Sequence, residues 1–286
     1  MPNVSQGKIE RLENFQSAYV PPRHIDIWLP ESYPSGETYA VLYMHDGQML
    51  FDETITWNQQ SWGVAETVSE LLNAGKIRNC IVVGIWNSGS GRHADYFPQK
   101  PFDNLPIAYR DWLKQAKRED ETPLFAADIR SDAYLKFITK ELKPFIDHNF
   151  ATLPSIENTF IAGSSMGGLI SIYALCEYPK IFGGAACLST HWIGTFTEEN
   201  NPIPDLFLEY LRHHLPNPAS HRIYFDYGTE TLDAAYEPHQ LKVDQLMIGK
   251  GYHAANWQTQ KFVGANHSEE AWRKRLSLPI TFLLGL

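Results

Sequence analysis

The chemistry-bearing stretch of this chain is Gly163-Ser164-Ser165-Met166-Gly167, which follows an apolar run, Thr159 to Ala162, and opens a helical pattern. A serine between two glycines at a strand-to-helix junction marks a sharp turn that lifts its hydroxyl out of a sheet in a strained backbone conformation. The flanking positions must be small because strand and helix nearly collide there, and Gly167 and Gly168 meet that need. Ser165 is therefore the candidate nucleophile, and Ser164, which precedes the apex, is not. The first helix amides, beginning with Met166, would face an oxyanion.

A hydroxyl attacks poorly unless a base takes its proton, so a histidine is required downstream. Of eleven histidines, His267 is the best placed, in Gly264-Ala265-Asn266-His267-Ser268 between the last strand pattern and the C-terminal helix. His191, His239 and His253 are weaker rivals, and His213-His214 belongs on a lid surface. A carboxylate must fix the imidazole's tautomer. After the strand Arg222 to Tyr227 comes Gly228-Thr229-Glu230-Thr231-Leu232-Asp233, where Asp233 is the first choice and Glu230 and Asp226 compete; a Ser/His dyad is the remaining option. A second oxyanion donor is expected from the turn His45-Asp46-Gly47-Gln48, through the N–H of Gly47 or Gln48, the glycine letting backbone approach the reacting carbonyl. His45 and Asp46 could alternatively ligate a metal, but no HExxH, CxxC or EF-hand spacing supports one elsewhere, so no metal or cofactor is expected.

These residues need a scaffold. The best strand candidates are Ile25 to Leu29, Ala40 to Met44, Cys80 to Trp86, Thr159 to Ala162, Ala185 to Ser189, Arg222 to Tyr227 and Gln258 to Val263. The last five read as near-continuous apolar or aromatic runs, the pattern of strands covered on both faces. Helical spacing occupies Val64 to Leu72, Asp132 to Asn149 with a kink expected at Pro144, Met166 to before Pro179, Pro238 to Gly249, and Glu269 to Leu284 with a break at Pro279. Alternating strands and helices predict an α/β fold with a mainly parallel central sheet and helices on both faces. The 286 residues read as one domain, 1–286, with rim or lid insertions at about 87–130 and 191–218. In or beside those loops fall Trp57, Trp62, Trp86, Tyr96, Phe97 and Trp192. Arg92, Trp192 and Tyr96 are the candidate substrate-binding residues.

Composition sets the outer bounds. Apolar residues make up 43% and charged residues 20%, as in folded globular proteins. Lys plus Arg total 24 against 33 Asp plus Glu, a net charge of −9, so neither nucleic acid nor an anionic membrane is an expected partner. Three cysteines without CxxC spacing, no export signal and no long apolar run predict a cytoplasmic protein. The exposed aromatic loops permit a homodimer.

Taken together, Val41-Leu42-Tyr43-Met44-His45-Asp46-Gly47-Gln48, Ile81-Val82-Val83-Gly84-Ile85, Arg92 to Pro98, Gly163 to Gly168 and the His267 loop resemble the esterase branch of the α/β-hydrolases. That branch includes ferric-siderophore esterases, feruloyl and acetylxylan esterases, S-formylglutathione hydrolases and mycolyltransferases. The resemblance implies the α/β-hydrolase fold and hydrolysis of a small-molecule carboxylic ester through an acyl-enzyme, nearest to the siderophore-esterase side. In several branches the acid falls three residues after the strand-end glycine, here Thr231, so the resemblance implies a shifted carboxylate. Acyl transfer to an alcohol or sugar, and a non-catalytic interaction protein on the same fold, are the alternatives.

Overall fold

Each apolar run named above becomes a strand, and all of them join one sheet. The computed structural model describes residues 1–118 and 120–286. Its strands are β1 (Lys8–Phe15), β2 (Arg23–Leu29), β3 (Ala40–His45), β4 (Cys80–Ile85), β5 (Thr159–Ser164), β6 (Gly184–Leu188), β7 (Arg222–Gly228) and β8 (Trp257–Phe262). They lie in the order β1-β2-β4-β3-β5-β6-β7-β8. β1 and β2 run antiparallel to their neighbours and every pairing from β4 through β8 is parallel. The interior strands β3 to β6 are buried along their whole length, which is why they contain almost no polar residue.

Two edges depart from expectation. β1 was not legible, because Ile9, Leu12 and Phe15 are spaced by three and a register shift falls between Leu12 and Phe15. β8, expected to be covered on both faces, is instead a half-exposed edge whose sequence, Trp257-Gln258-Thr259-Gln260-Lys261-Phe262, carries polar residues an edge tolerates.

The helices are α1 (Val64–Asn73), α2 (Arg92–Tyr96), α3 (Gln99–Asp103), α4 (Ile107–Gln115), α5 (Ser131–Lys136), α6 (Lys143–Asn149), α7 (Met166–Glu177), α8 (Ile203–His214), α9 (Glu237–Gly249), α10 (Glu269–Arg273) and α11 (Ser277–Leu284). They cover both faces, giving two apolar clusters, one beneath α2, α5 and α7 to α9 and the other beneath α1 and α11. α5 and α6 are joined by a π-helical stretch, Phe137–Leu142. The helical pattern is thereby divided around Pro144, which sits in the first turn of α6. The C-terminal pattern breaks at Lys274 to Leu276, ahead of Pro279, which sits in the first turn of α11 where its missing N–H has no helical acceptor to lose.

The segment 87–130 is less a free lid than part of the body. His93, Asp95, Tyr96, Phe97 and Leu113 are buried, with Asp95 bound by Arg23 at 3.2 Å and Arg130 at 2.5 Å. Within 191–218, Trp192 and Ile193 are buried and α8 packs along α3 and α9. No helix among the described residues is long and apolar enough to cross a membrane.

Candidate active site

β5 ends in the turn that carries Ser165, and the geometry explains the glycines around it. Ser165 has φ 57° and ψ −123°, a conformation L-residues rarely adopt. A Cβ on Gly163 would stand 2.7 Å from the carbonyl carbon of Gly167, so strand and helix touch through bare backbone. The strained residue is tied down on both sides: its N–H donates to Leu188 O at 2.9 Å and its carbonyl accepts from Leu169 at 3.1 Å and His191 at 3.2 Å. Met166 is the first residue of α7, so its N–H has no acceptor within the helix.

His267 sits on the loop after β8. Its backbone N–H donates to the Thr231 hydroxyl at 2.9 Å, and its ring stands edge-on to Trp272, with centroids 5.0 Å apart at 82°. Its Nδ1 lies 2.5 Å from Asp233 Oδ1. The other carboxylate oxygen accepts from Gly228 N–H at 2.5 Å and from the Ser189 hydroxyl at 2.6 Å. Burial opposes ionisation of Asp233, but His267, Ser189 and Gly228 outweigh it and hold the carboxyl below its usual range. The ionised carboxylate accepts, so the proton is on Nδ1 and Nε2 is left with its lone pair.

The competing carboxylates go elsewhere. Glu230 is exposed on the turn. Asp226 is fully buried and bound to Arg275 Nη2 at 2.8 Å, and desolvation pushes its pKa up to about 6. Asp233 alone of the three reaches the imidazole, because a 3₁₀ turn, Thr231–Ala235, carries it back beneath the loop.

Ser165 and His267 line one cavity of about 440 Å³, together with Asp46, Gln48, Trp57, Trp62, Asn87, Arg92 and Trp272. Of the two expected donors in the β3 turn, Gln48 lines this cavity and Gly47 does not. A Cβ on Gly47 would lie 2.6 Å from the Gly84 backbone of β4, so the turn packs there against bare backbone. Arg92 reaches the wall, where its Nε and Nη2 each meet an Asp46 oxygen at 2.7 Å, while Asn87 donates to Asp46 at 2.7 Å. Asp46 is thereby engaged by Arg92, and His45 Nδ1 lies 2.8 Å from the Tyr134 hydroxyl.

Tyr96 and Trp192 do not line the cavity. Tyr96 is buried beneath Arg92, its hydroxyl accepting from Asp46 N–H at 3.3 Å. Trp192 is drawn under α9, its indole N–H donating to Gln240 at 2.9 Å, since a buried tryptophan seeks a partner for that group. Phe97 is core and Trp86 donates to Asp26 at 2.8 Å, whereas Trp57 and Trp62 do line the site. Sequence reasoning did not single out Ser189, Trp272, Arg275 or Tyr236. Tyr236 is buried, with its hydroxyl 2.6 Å from His191 Nδ1 and its ring 5.9 Å from that of His267. They lie on three separate segments, Trp272 and Arg275 being three residues apart at the end of α10, and no local spacing links that pair to Ser189 or Tyr236.

Comparison with known proteins agrees with this architecture. Residues 19–280 match the family described as "Putative esterase". The uncharacterized protein YbbA of Bacillus subtilis is 23% identical over 270 residues, covering 92% of this chain and 93% of that protein. Carboxylesterase SOBER1 of Arabidopsis thaliana is 29% identical over 121 residues, 39% of this chain and 51% of its own length. Among solved structures, the enterobactin esterase FES from Shigella flexneri superposes with a TM-score of 0.69 at 16% identity, covering 99% of this chain and 60% of that one. An IroE-like serine hydrolase from Shewanella oneidensis gives 0.65 at 20% identity, covering 97% and 79%. The fold is thus that of the α/β-hydrolase esterases, and with the family model spanning nearly the whole sequence the chain belongs to that esterase family.

Proposed function

We propose that the protein is a serine carboxylesterase that needs no cofactor. The observation that carries this reading is the 2.5 Å contact of His267 Nδ1 with the buried Asp233, at a cavity whose wall also holds Ser165 on its strained turn. Ser165 Oγ attacks the ester carbonyl as its proton passes to His267 Nε2. The charge developing on the carbonyl oxygen is met by the N–H groups of Met166 and the Gly47-Gln48 turn, of which Gln48 is the better placed. Collapse breaks the carbonyl–alkoxy bond, and His267 returns its proton to the departing alcohol. Water, activated by the same imidazole, then adds to the acyl-enzyme and frees the acid and Ser165.

The residues lining the wall include Trp57, Trp62 and Trp272 together with Gln48, Asn58, Gln60 and Asn87. Trp57 is 84% exposed. Such a lining suits an ester with a flat or ring-bearing group and hydrogen-bonding substituents over one with a long bare alkyl chain.

The test compares wild type with Ser165→Ala on p-nitrophenyl acetate, butyrate and octanoate, and on a fluorophosphonate probe. Wild type turns over the short esters and is labelled at Ser165, and the alanine variant does neither. Equal labelling and turnover of the two proteins would remove Ser165 from the mechanism.

A further inference from the structure

Behind Asp233 lies a buried cluster that the acyl-transfer steps do not touch. Ser189 follows β6 and is fully buried. Its oxygen lies 2.9 Å from Trp272 Nε1, 2.9 Å from Arg275 Nη2 and 2.6 Å from Asp233 Oδ2. A hydroxyl has one proton and two lone pairs, whereas an indole N–H and a guanidinium can only donate. Trp272 and Arg275 therefore occupy both lone pairs, and the Ser189 proton has a single direction left, toward Asp233.

The consequence runs outward. With Ser189 and Gly228 both donating to Oδ2, the Asp233 carboxyl has no room for a proton on that side. With the carboxylate ionised, Oδ1 then accepts from His267, which places the imidazole proton on Nδ1 and leaves Nε2 basic. The far end of the chain is itself anchored. Arg275 is held by Asp226 at 2.8 Å, with side chains 3% and 0% exposed, and stacks 4.7 Å from the Phe262 ring centroid. Asp226 also accepts the Ser189 N–H, at 3.2 Å on its side chain and 2.8 Å on its carbonyl.

We infer that Trp272, Arg275 and Ser189 form a directional hydrogen-bond relay that sets the tautomer of His267 from behind its acid. All three are positioning residues, and the inference rests on Ser165 and His267 being nucleophile and base. The other titratable groups around the pair are Asp226 and Arg275 behind it, Tyr236 at the start of α9, His191 after β6, and Glu269 on the His267 side.

The experiment records the pH dependence of kcat and KM for p-nitrophenyl acetate in wild type, Ser189→Ala and Ser189→Cys, alongside fluorophosphonate labelling. Losing the Ser189 donor makes Asp233 more basic and favours the protonated imidazole. Ser189→Ala therefore moves the acid limb of kcat/KM upward by about one pH unit and lowers kcat about tenfold at neutral pH with little change in KM. Ser189→Cys, a weaker donor, falls between. In wild type carrying ¹⁵N-labelled histidine, assigned by comparison with His267→Gln, the His267 signal above the acid limb shows the proton on Nδ1. Labelled wild type with an acid limb unmoved in folded Ser189→Ala and Ser189→Cys would overturn the relay alone, as would a proton on Nε2. Wild type that is never labelled would overturn the esterase reading itself. If neither Ser189 variant folds, the ¹⁵N measurement on wild type decides.

Discussion

Thr231 accepts the backbone N–H of His267 at 2.9 Å, so one turn after β7 supplies both the hydroxyl that holds the histidine's loop and, two residues later, the Asp233 carboxylate that meets its ring at 2.5 Å. Thr231 itself has φ 55°, a bend that redirects the chain into the 3₁₀ turn bearing Asp233. Resemblance alone pointed to position 231 for the acid. Here that position holds the loop, and the carboxylate has moved along the same turn.

This division of labour predicts how the carboxylates separate on substitution. Asp233→Asn leaves the contact in place but removes the charge and reverses the hydrogen bond, and kcat falls on the order of 10³–10⁴. Glu230→Gln, at an exposed site, stays within about twofold of wild type, since surface changes away from such features have little effect. Steady-state kinetics on p-nitrophenyl acetate distinguish the two. Comparable losses in both variants would mean that Asp233 does not orient the base.

Ser165 stores backbone strain. At φ 57° and ψ −123° a glycine is more comfortable than a serine, so Ser165→Gly gains up to about 1–3 kcal/mol of relieved strain, less the entropy glycine gives back to the unfolded chain. The variant is inactive on esters yet unfolds at a higher denaturant concentration than wild type. A lower midpoint would mean that the turn is held without strain.

The parts of this site that were legible were local. A GxSxG turn between a strand and a helix is a consequence of chain crowding within five residues, and a histidine after the last strand follows from topology. The carboxylate that meets His267 was legible only as one of three, because which one reaches the ring depends on the turn Thr231–Ala235. Trp192 and Tyr96 were misplaced for a related reason: aromatic residues in a polar segment look like a rim, but their ring N–H and hydroxyl found buried partners in Gln240 and Asp46 and drew them into the core. Ser189, Trp272 and Arg275 form a polar cluster assembled across the sheet from β6 to the C-terminal helices. No periodicity records an arrangement of that kind.

Gly47 gives a test of the β3 turn. An alanine methyl would meet the Gly84 carbonyl carbon and oxygen at 2.6 Å, a contact backbone atoms cannot relieve by rotating. Gly47→Ala therefore costs about 1–3 kcal/mol and pushes the Gln48 amide from its place at the cavity. The expected signature is a loss in kcat larger than any change in KM, together with a lower melting temperature. A variant with unaltered kcat at full occupancy of the folded state would exclude the turn from oxyanion binding.

Buried histidines set the acid side of the stability curve, His45, His93 and His191 among them, each held neutral by desolvation. Desolvation lowers the pKa of both His45 and His93 to about 3, well under the ordinary histidine value. Each is therefore neutral in the folded protein while the unfolded chain binds a proton below about pH 6.5. Between those limits the unfolded state holds more protons, so stability is complete above the unfolded value and is lost as pH falls, by up to about 1.4 kcal/mol per pH unit for each histidine. Replacing His93 by Phe removes the Gly194 carbonyl's partner and imposes a constant cost, but it also deletes one of these proton sites. Urea unfolding at pH 7, 6 and 5 should then show a shallower decline for His93→Phe than for wild type. Parallel declines would mean that His93 takes up its proton without the fold opening.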